Sequence, residues 1–446
     1  MSTLAVRPAA SATPVDGAAP PRLTDWDSTL AFRRDPYRFI GRHAVALGTE
    51  VFEARLMLRP TLCLTGARAA RLFYDPGRFE RAGAAPGALQ ATLFGRGGVQ
   101  GMDGAAHRRR KALFVALTEP AAVDDLVAQV RQDWQAAWPR PGASAPFSLY
   151  DFAQPVLTHA VCAWAGVPLP AAELPLRTRQ LVLLFDGAAG GLAAHLRARW
   201  ARRRLEAWLT RGVEATRAGR PGFRPGSAAE RIARHGDTGA RPLPARVAAV
   251  ELLNLLRPVV AVSVYLSLMG QALHVHRGAR ARLLQPLPDA AEREARRRAF
   301  VQEVRRHYPF FPAVAARVRD DFTWQGVAFR RGQRALLDLY GTCHDARAWA
   351  DPWDFHPQRF EHDERPPPFA LIPQGGGDAA THHRCPGEGI ASRLMGLVLQ
   401  MWLDDDGLGW HVVGEPPALR MDRLPALPLG GLIVEPVGRP AGALLA

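Results

Sequence analysis

Lysine is all but absent from this 446-residue chain. Of its 57 basic side chains only Lys111 is a lysine; the rest are arginines, and against 42 acidic residues they leave a formal net charge of +15. A basic excess suggests nucleic acid when the cations gather on one stripe or helix. Here the arginines are spread along the sequence beside abundant Ala, Gly and Pro, a pattern of codon bias, and no nucleic-acid partner is expected. Cysteine is scarce too. Cys63, Cys162, Cys343 and Cys385 lie far apart with no CxxC pair, which excludes a disulfide framework or a zinc ribbon and leaves room for a single working thiolate. The amino terminus, MSTLAVRPAASATPVDGAAPP, lacks a basic-then-apolar leader and reads as a disordered Ala/Pro-rich tail over residues 1–22. The longest apolar run, Pro258 to Leu273, is broken by Gln271 and is shorter than the ~20 residues of a membrane span. A cytoplasmic protein without a membrane span is the expectation. Internal repeats are missing, as are linkers rich enough to divide the chain, so residues 23–446 are expected to form one domain.

What is present is ordinary globular composition, 48% hydrophobic and 22% charged, in a chain long enough to bury a large core. Val51 to Leu64 reads as two short strands around a turn at Arg59-Pro60. From about Ala105 to His276 the periodicity is mainly helical, with a long and very apolar helix expected over Arg246 to His274 and a charged one over Ala291 to His307. Phe322 to Leu339 is strand-like around a Gln325-Gly326 hairpin signal, and a last helix is expected from Gly389 to Leu403. The runs Arg197 to Arg204 and Arg293 to Arg298 read as solvated helix faces. The fold class is mainly α, a large helical domain with small β-sheets.

Three segments carry chemistry. Cys385 lies in HHRCPGEG, just before the last helix. There, free backbone N–H groups and the helix dipole favour a thiolate, and the glycines let the chain curl around a sulfur or lie against a flat ligand. Haem iron accepts such a thiolate as axial ligand, which favours O–O cleavage; a buried free cysteine is the plainer reading of the loop alone. Glu303 and Arg306 stand one helical turn apart, and DPWDFHPQRF offers Arg359 downstream. In the apolar helix, Arg257 is followed at once by Pro258, and Leu252 to Pro288 contains no Asp or Glu. A buried guanidinium wants an anionic partner, unless it snorkels or pairs with a protein carboxylate. Proline removes a helical hydrogen bond and opens a groove.

The order Glu-x-x-Arg, Pro-x-Arg-Phe and Gly-rich Cys loop resembles the haem-thiolate cytochrome P-450 superfamily over nearly all of the chain after the tail. The resemblance implies the cytochrome P-450 fold, haem b as cofactor with Cys385 as iron ligand, and a structural triad of Glu303, Arg306 and Arg359 that fixes the cysteine loop. The usual loop has Phe and Gly seven and four residues before the cysteine; here those places hold Asp378 and Thr381. The lengthened loop IPQGGGDAATHHRCPGEG is similar to that of the bacterial fatty-acid peroxygenases. By that likeness Arg257 binds a fatty-acid carboxylate and Pro258 shapes the catalytic pocket. Phe94 and Gln100 line it over the haem, and a histidine occupies the place of Gln100 in a branch member that forms terminal alkenes. His107 and Lys111, four apart on one helix face, reach haem propionates, with His383 as a further candidate; a solvated basic face is their plain alternative.

The implied reaction is RH + H2O2 → ROH + H2O at the α or β carbon of a long-chain fatty acid, the substrate carboxylate acting as acid–base group and no redox partner being required. Decarboxylation to terminal alkenes, conventional monooxygenation with external redox partners, and haem-dependent fatty-acid binding without turnover are the rival functions.

Overall fold

Apolar residues recurring at helical spacing fold most of the chain into helices. The computed structural model describes residues 17–437 except 141, 143–144, 188–189, 238–240, 362–365, 404–408 and 416–417. Seven helices position the site. They are α1 (Gly104–Leu117), α2 (Leu149–Ala165), α3 (Leu192–Arg217), α4 (Ala245–Val260), α5 (Val262–Val275), α6 (Ala290–His307) and α7 (Glu388–Leu403).

The expected apolar helix is thus two segments. Pro258 lies inside α4, and the helical ladder is interrupted one residue after α4 ends, at Ala261. Proline carries no N–H for the carbonyl one turn earlier, so the ladder is weakened there. Together the two segments are long and apolar enough to cross a membrane, but 89% of their most apolar window is buried inside the protein. This is a core helix pair. α4 packs on α2 and α3, while α5 packs on α2, α6 and α7. A Cβ on Gly270 of α5 would come within 2.8 Å of Leu149 and Leu432 side-chain atoms, so a larger residue there would have to displace both leucine ends.

A five-stranded sheet lies to one side, in the order Val51–Leu56, Arg59–Leu64, Arg334–Asp338, Ala313–Val318, Phe79–Glu80. Its first hairpin turns at Met57-Leu58 rather than at Arg59-Pro60. Both residues have positive φ, 52° and 58°, and their N–H groups donate to Thr29 Oγ1 and Asp27 Oδ2. Side chains 30 residues upstream therefore hold a left-handed turn without Gly or Asn, and Pro60 falls in the strand. There it pairs with Arg55 but lies outside the register with Arg334–Asp338, which starts at Thr61, so its missing N–H breaks no ladder bond. The second hairpin turns at Gln325-Gly326 as expected, both with positive φ.

Residues 1–16 of the expected tail lie outside the described residues. Residues 17–22 are paired: Ala18 bridges Val327, and Arg22 bridges Glu53.

Candidate functional site

The cysteine loop is held from several sides. The Cys385 N–H donates to the Gln374 carbonyl at 3.0 Å. Asp378 and Thr381, which stand where Phe and Gly were expected, make a self-contained turn: Asp378 Oδ1 accepts from the N–H groups of Ala380 and Thr381 and from the Thr381 hydroxyl, at 2.8–3.0 Å. The phenylalanine of this region, Phe369, instead stacks on Tyr74 with ring centroids 6.2 Å apart.

Glu303, Arg306 and Arg359 do come together. Both carboxylate oxygens of Glu303 accept from Arg306 at 2.7 Å, with both side chains fully buried. Arg359 reaches the same carboxylate at 3.3 Å, and the His356 N–H donates to it at 2.7 Å. Arg306 also donates to the carbonyls of Cys343, Pro352 and Asp354. This triad ties α6 to the 343–359 segment, not directly to the cysteine loop. The direct link is its neighbour Arg305, which donates to Gln374 Oε1 at 3.1 Å and pairs with Glu388 at the start of α7. Glu388 also accepts from Arg384 at 2.6 Å. Neither Arg305 nor Glu388 was singled out from sequence; the doubled arginine of Glu-x-Arg-Arg, one for each side of α6, was the available signal.

His107, Lys111 and His383 all gather at residues 382–385. Lys111 Nζ donates to the carbonyls of His382 and Arg384. The His107 and His383 rings stack 4.0 Å apart, and His383 stands 3.4 Å from Asp103. Asp103 in turn accepts from the backbone N–H groups of Arg81 and Ala82. Burial lowers Lys111 to about 8, His107 to about 3 and His383 to about 4, the neighbouring cations adding to the effect.

Opposite them lies α4. Glu251, Asn254 and Arg257 recur at intervals of three and form one polar ridge on an otherwise apolar helix. Arg110 of α1 pairs with Glu251 and, at 2.7 Å, with Asp237. Asn254 donates to Glu251 at 2.8 Å and to Gln100 Oε1 at 3.1 Å. Arg257 is different. It is 7% exposed, its Nη1 has no hydrogen-bond partner, and no carboxylate among the described residues pairs with it. Burial pulls it down to about 9, Arg202 adding to the fall and Cys385 opposing it. Phe94 ends the 90–94 helical turn, packed against the core. Arg202, expected on a solvated face, is buried and donates to the carbonyls of Thr92, Leu93 and Phe94.

The comparisons agree on one family. The profile for Cytochrome P450 matches residues 297–405. Cytochrome P450SP alpha (CYP152B1) in complex with (R)-ibuprophen superposes with a TM-score of 0.85 at 47% identity, over 92% of this chain and 98% of that one. The chain belongs to the cytochrome P450 family. Two further structures of that family are similar over 94% of the chain, both with a TM-score of 0.87. They are cytochrome P450EX alpha (CYP152N1) wild-type with myristic acid, at 36% identity over 99% of its length, and cytochrome P450 OleT, ligand-free, at 30% over all of its length. Of the curated proteins, dimethylnonatriene synthase of Arabidopsis thaliana is 33% identical over 29% of this chain, and the chain spans about a quarter of the length of that relative.

Membership makes the chain an oxidoreductase of the haem-thiolate kind. Its residues fit such a group. Cys63, Cys162 and Cys343 are buried, whereas Cys385 is partly open. Burial pushes the Cys343 and Cys162 thiols up to about 12. Burial and the Glu388 carboxylate raise Cys385 as well, while a hydrogen bond from Gly387 and the charges of Lys111 and Arg257 oppose them and favour its thiolate. Cys343 also receives a backbone N–H, from Ile372 at 3.4 Å, but its sulfur is buried, and Cys385 is the one partly open cysteine of the four.

Proposed function

We propose that the chain is a fatty-acid peroxygenase that hydroxylates long-chain acids at the α or β carbon with hydrogen peroxide. The observation that carries this reading is Arg257, a buried guanidinium without a protein carboxylate, within electrostatic reach of Cys385. An unpaired buried charge is costly unless a ligand completes it. A fatty-acid carboxylate does so with two parallel N–H···O bonds.

Haem b, which the Cys385 thiolate would hold, would supply O–O cleavage, with hydrogen peroxide as the oxidant. Lys111, His107 and His383 would hold its carboxylates. Arg257 fixes the acid head, so Cα and Cβ, rather than the chain end, lie nearest the reacting centre, and regiochemistry follows from proximity. Paired with Arg257, the substrate carboxylate stays ionised, ready to accept a peroxide proton and return it. That replaces the side-chain acid missing between Leu252 and Pro288. Pro258 leaves the groove open beside the head group, Phe94 walls it, and the Gln100 amide, held by Asn254, offers no ionisable proton, which favours hydroxylation over decarboxylation. Glu303, Arg306 and Arg359 brace the fold behind the cysteine.

The test is to incubate the haem-loaded protein with myristic acid and hydrogen peroxide, without reductase, and identify products. 2- or 3-Hydroxymyristate is expected, and Arg257→Ala abolishes it while haem stays bound. Turnover that requires NAD(P)H and a reductase overturns the reading; terminal alkene as main product assigns decarboxylation instead; saturable acid binding without any product assigns the binding protein.

A further inference from the structure

Outside the site just described, the arginines of α3 do not all disperse into solvent. A cavity of about 120 Å3 opens between α3, the start of α4 and the segment around Gln90. Five of its eight lining residues are arginines: Arg96, Arg199, Arg202, Arg203 and Arg246. Its one carboxylate is Glu206. Both oxygens of Glu206 are taken, one by Arg202 at 2.8 Å and one by Arg246 at 3.0 Å. Arg202 is further committed to three backbone carbonyls. That leaves Arg96, Arg199 and Arg203 with no hydrogen bond or ion pair to any described residue. The cavity therefore carries an excess of four positive charges, three of them on guanidiniums aimed at no protein anion. Concentrated charge of one sign in a cleft focuses the field and raises the local concentration of the opposite ion.

The cavity is also in line with the inner site. Arg246, Val250, Asn254 and Arg257 follow at helical intervals along one face of α4. Arg246 stands at the mouth and Arg257 is eleven residues further in, roughly 16 Å at ~1.5 Å per residue. Between them runs the Gly95 segment, packed against both α3 and α4. At Gly95, whose φ is +84°, a Cβ would come 2.7 Å from the Val250 side chain and would strike the Arg202 guanidinium. Only a glycine lets that strand of chain pass between Arg202 and α4. Beyond the cavity, α3 exposes Leu196 and Trp200, 54% and 51% accessible, one turn apart and next to Arg199 in sequence.

We infer that this cavity is a second, outer carboxylate site, where the head of an incoming single-chain fatty acid is captured at Arg96, Arg199 and Arg203 before it passes to Arg257. The exposed Leu196 and Trp200 give the trailing acyl chain an apolar surface while the head is held. The two sites lie too far apart for one carboxylate to occupy both, so at high concentration two acids bind. The inference rests on the fatty-acid reading for its ligand but not for its geometry.

The experiment uses the haem-loaded full chain and [1-13C]myristate. Wild type is expected to show two carboxylate environments in titration. Arg199→Ala/Arg203→Ala removes the weaker one, and Arg257→Ala removes the tighter one and leaves the weaker. In turnover at low ionic strength, the double variant is expected to lose about tenfold in kcat/KM with kcat kept, the gap closing in high salt as steering is screened. A single environment in wild type that the double substitution leaves untouched, or a weaker environment that survives it, overturns the inference. So does preferential occupation of the outer site by inorganic phosphate, which assigns it to phosphate-bearing ligands. A single environment in wild type that Arg257→Ala leaves in place and the double substitution removes overturns the peroxygenase reading and keeps the outer site.

Discussion

Asn254 decides what Gln100 can do. Its amide nitrogen divides between Glu251 at 2.8 Å and Gln100 at 3.1 Å, so the Gln100 carbonyl oxygen points at a donor on the same helix as Arg257. An amide fixed in this way neither gives nor takes a proton. An imidazole there does both near neutral pH. Gln100→His is therefore expected to shift product from hydroxy acid toward terminal alkene, with the alkene share rising about threefold or more as a positioned acid–base group takes part. Gas chromatography of the products reads this directly; an unchanged ratio removes Gln100 from the choice between the two outcomes. Residue identity was legible here only where spacing in the chain encodes proximity. Glu303 and Arg306 share a helix face, and Cys385 and Arg257 stand out against glycine and apolar surroundings. By contrast, Arg202, Arg305 and Arg110 look like every other arginine in the sequence. Their burial depends on partners 69 to 141 residues away, such as Gln374, Phe94 and Glu251, and no local pattern announces them.

At the scale of elements, periodicity located the helices well, and what it missed was tertiary in origin. The Met57-Leu58 turn is left-handed because Asp27 and Thr29 reach across to it, and Ala18 and Arg22 find bridge partners in Val327 and Glu53, far away in sequence. The break between α4 and α5 was half visible: Pro258 announces a weak point, and the interruption falls at Ala261. A proline in a helix interior costs about 3 kcal/mol relative to alanine, and this one is kept in the most buried helix pair of the molecule. Such a cost is consistent with a functional groove, since local order is commonly given up at working sites. Pro258→Ala is expected to restore the missing hydrogen bond and raise thermal stability by about 1–3 kcal/mol. The same change narrows the groove beside Arg257 and raises KM for myristate severalfold. Calorimetry and steady-state kinetics on one preparation test both halves. A destabilised variant with unchanged KM defeats the argument.

Over the whole molecule the arginine excess has a counterpart in histidines that cannot charge. His276, His307 and His344 sit where α5 and α6 meet the 343–359 segment. The His307 ring lies 5.7 Å from each of the other two, and His276 stacks on Phe355 at 4.2 Å. Burial is the first cause that lowers each of them, His307 to about 2, His344 to about 3 and His276 to about 4. The fixed charges of Arg306 and Arg359 add to it for the first two. In the unfolded chain each returns to a pKa of about 6.5. The unfolded state therefore binds more protons than the native one throughout the interval from about 6.5 down to these values. Stability that is complete above pH 7 must then be lost as pH falls through it. Between pH 7 and pH 5 the loss is about 2 kcal/mol for each of His307 and His344. His276 contributes less, because water screens its open side. Asp338, which burial raises to about 7, takes up its proton in the native state inside this window and opposes the fall, offsetting about one histidine. Urea midpoints of the haem-loaded protein are expected to fall from pH 7 to pH 5, and His307→Gln makes the fall shallower by about 2 kcal/mol at constant m. The same slope in wild type and variant shows that the buried ring already takes a proton in the native fold, and that the cluster around Glu303, Arg306 and Arg359 tolerates one more positive charge.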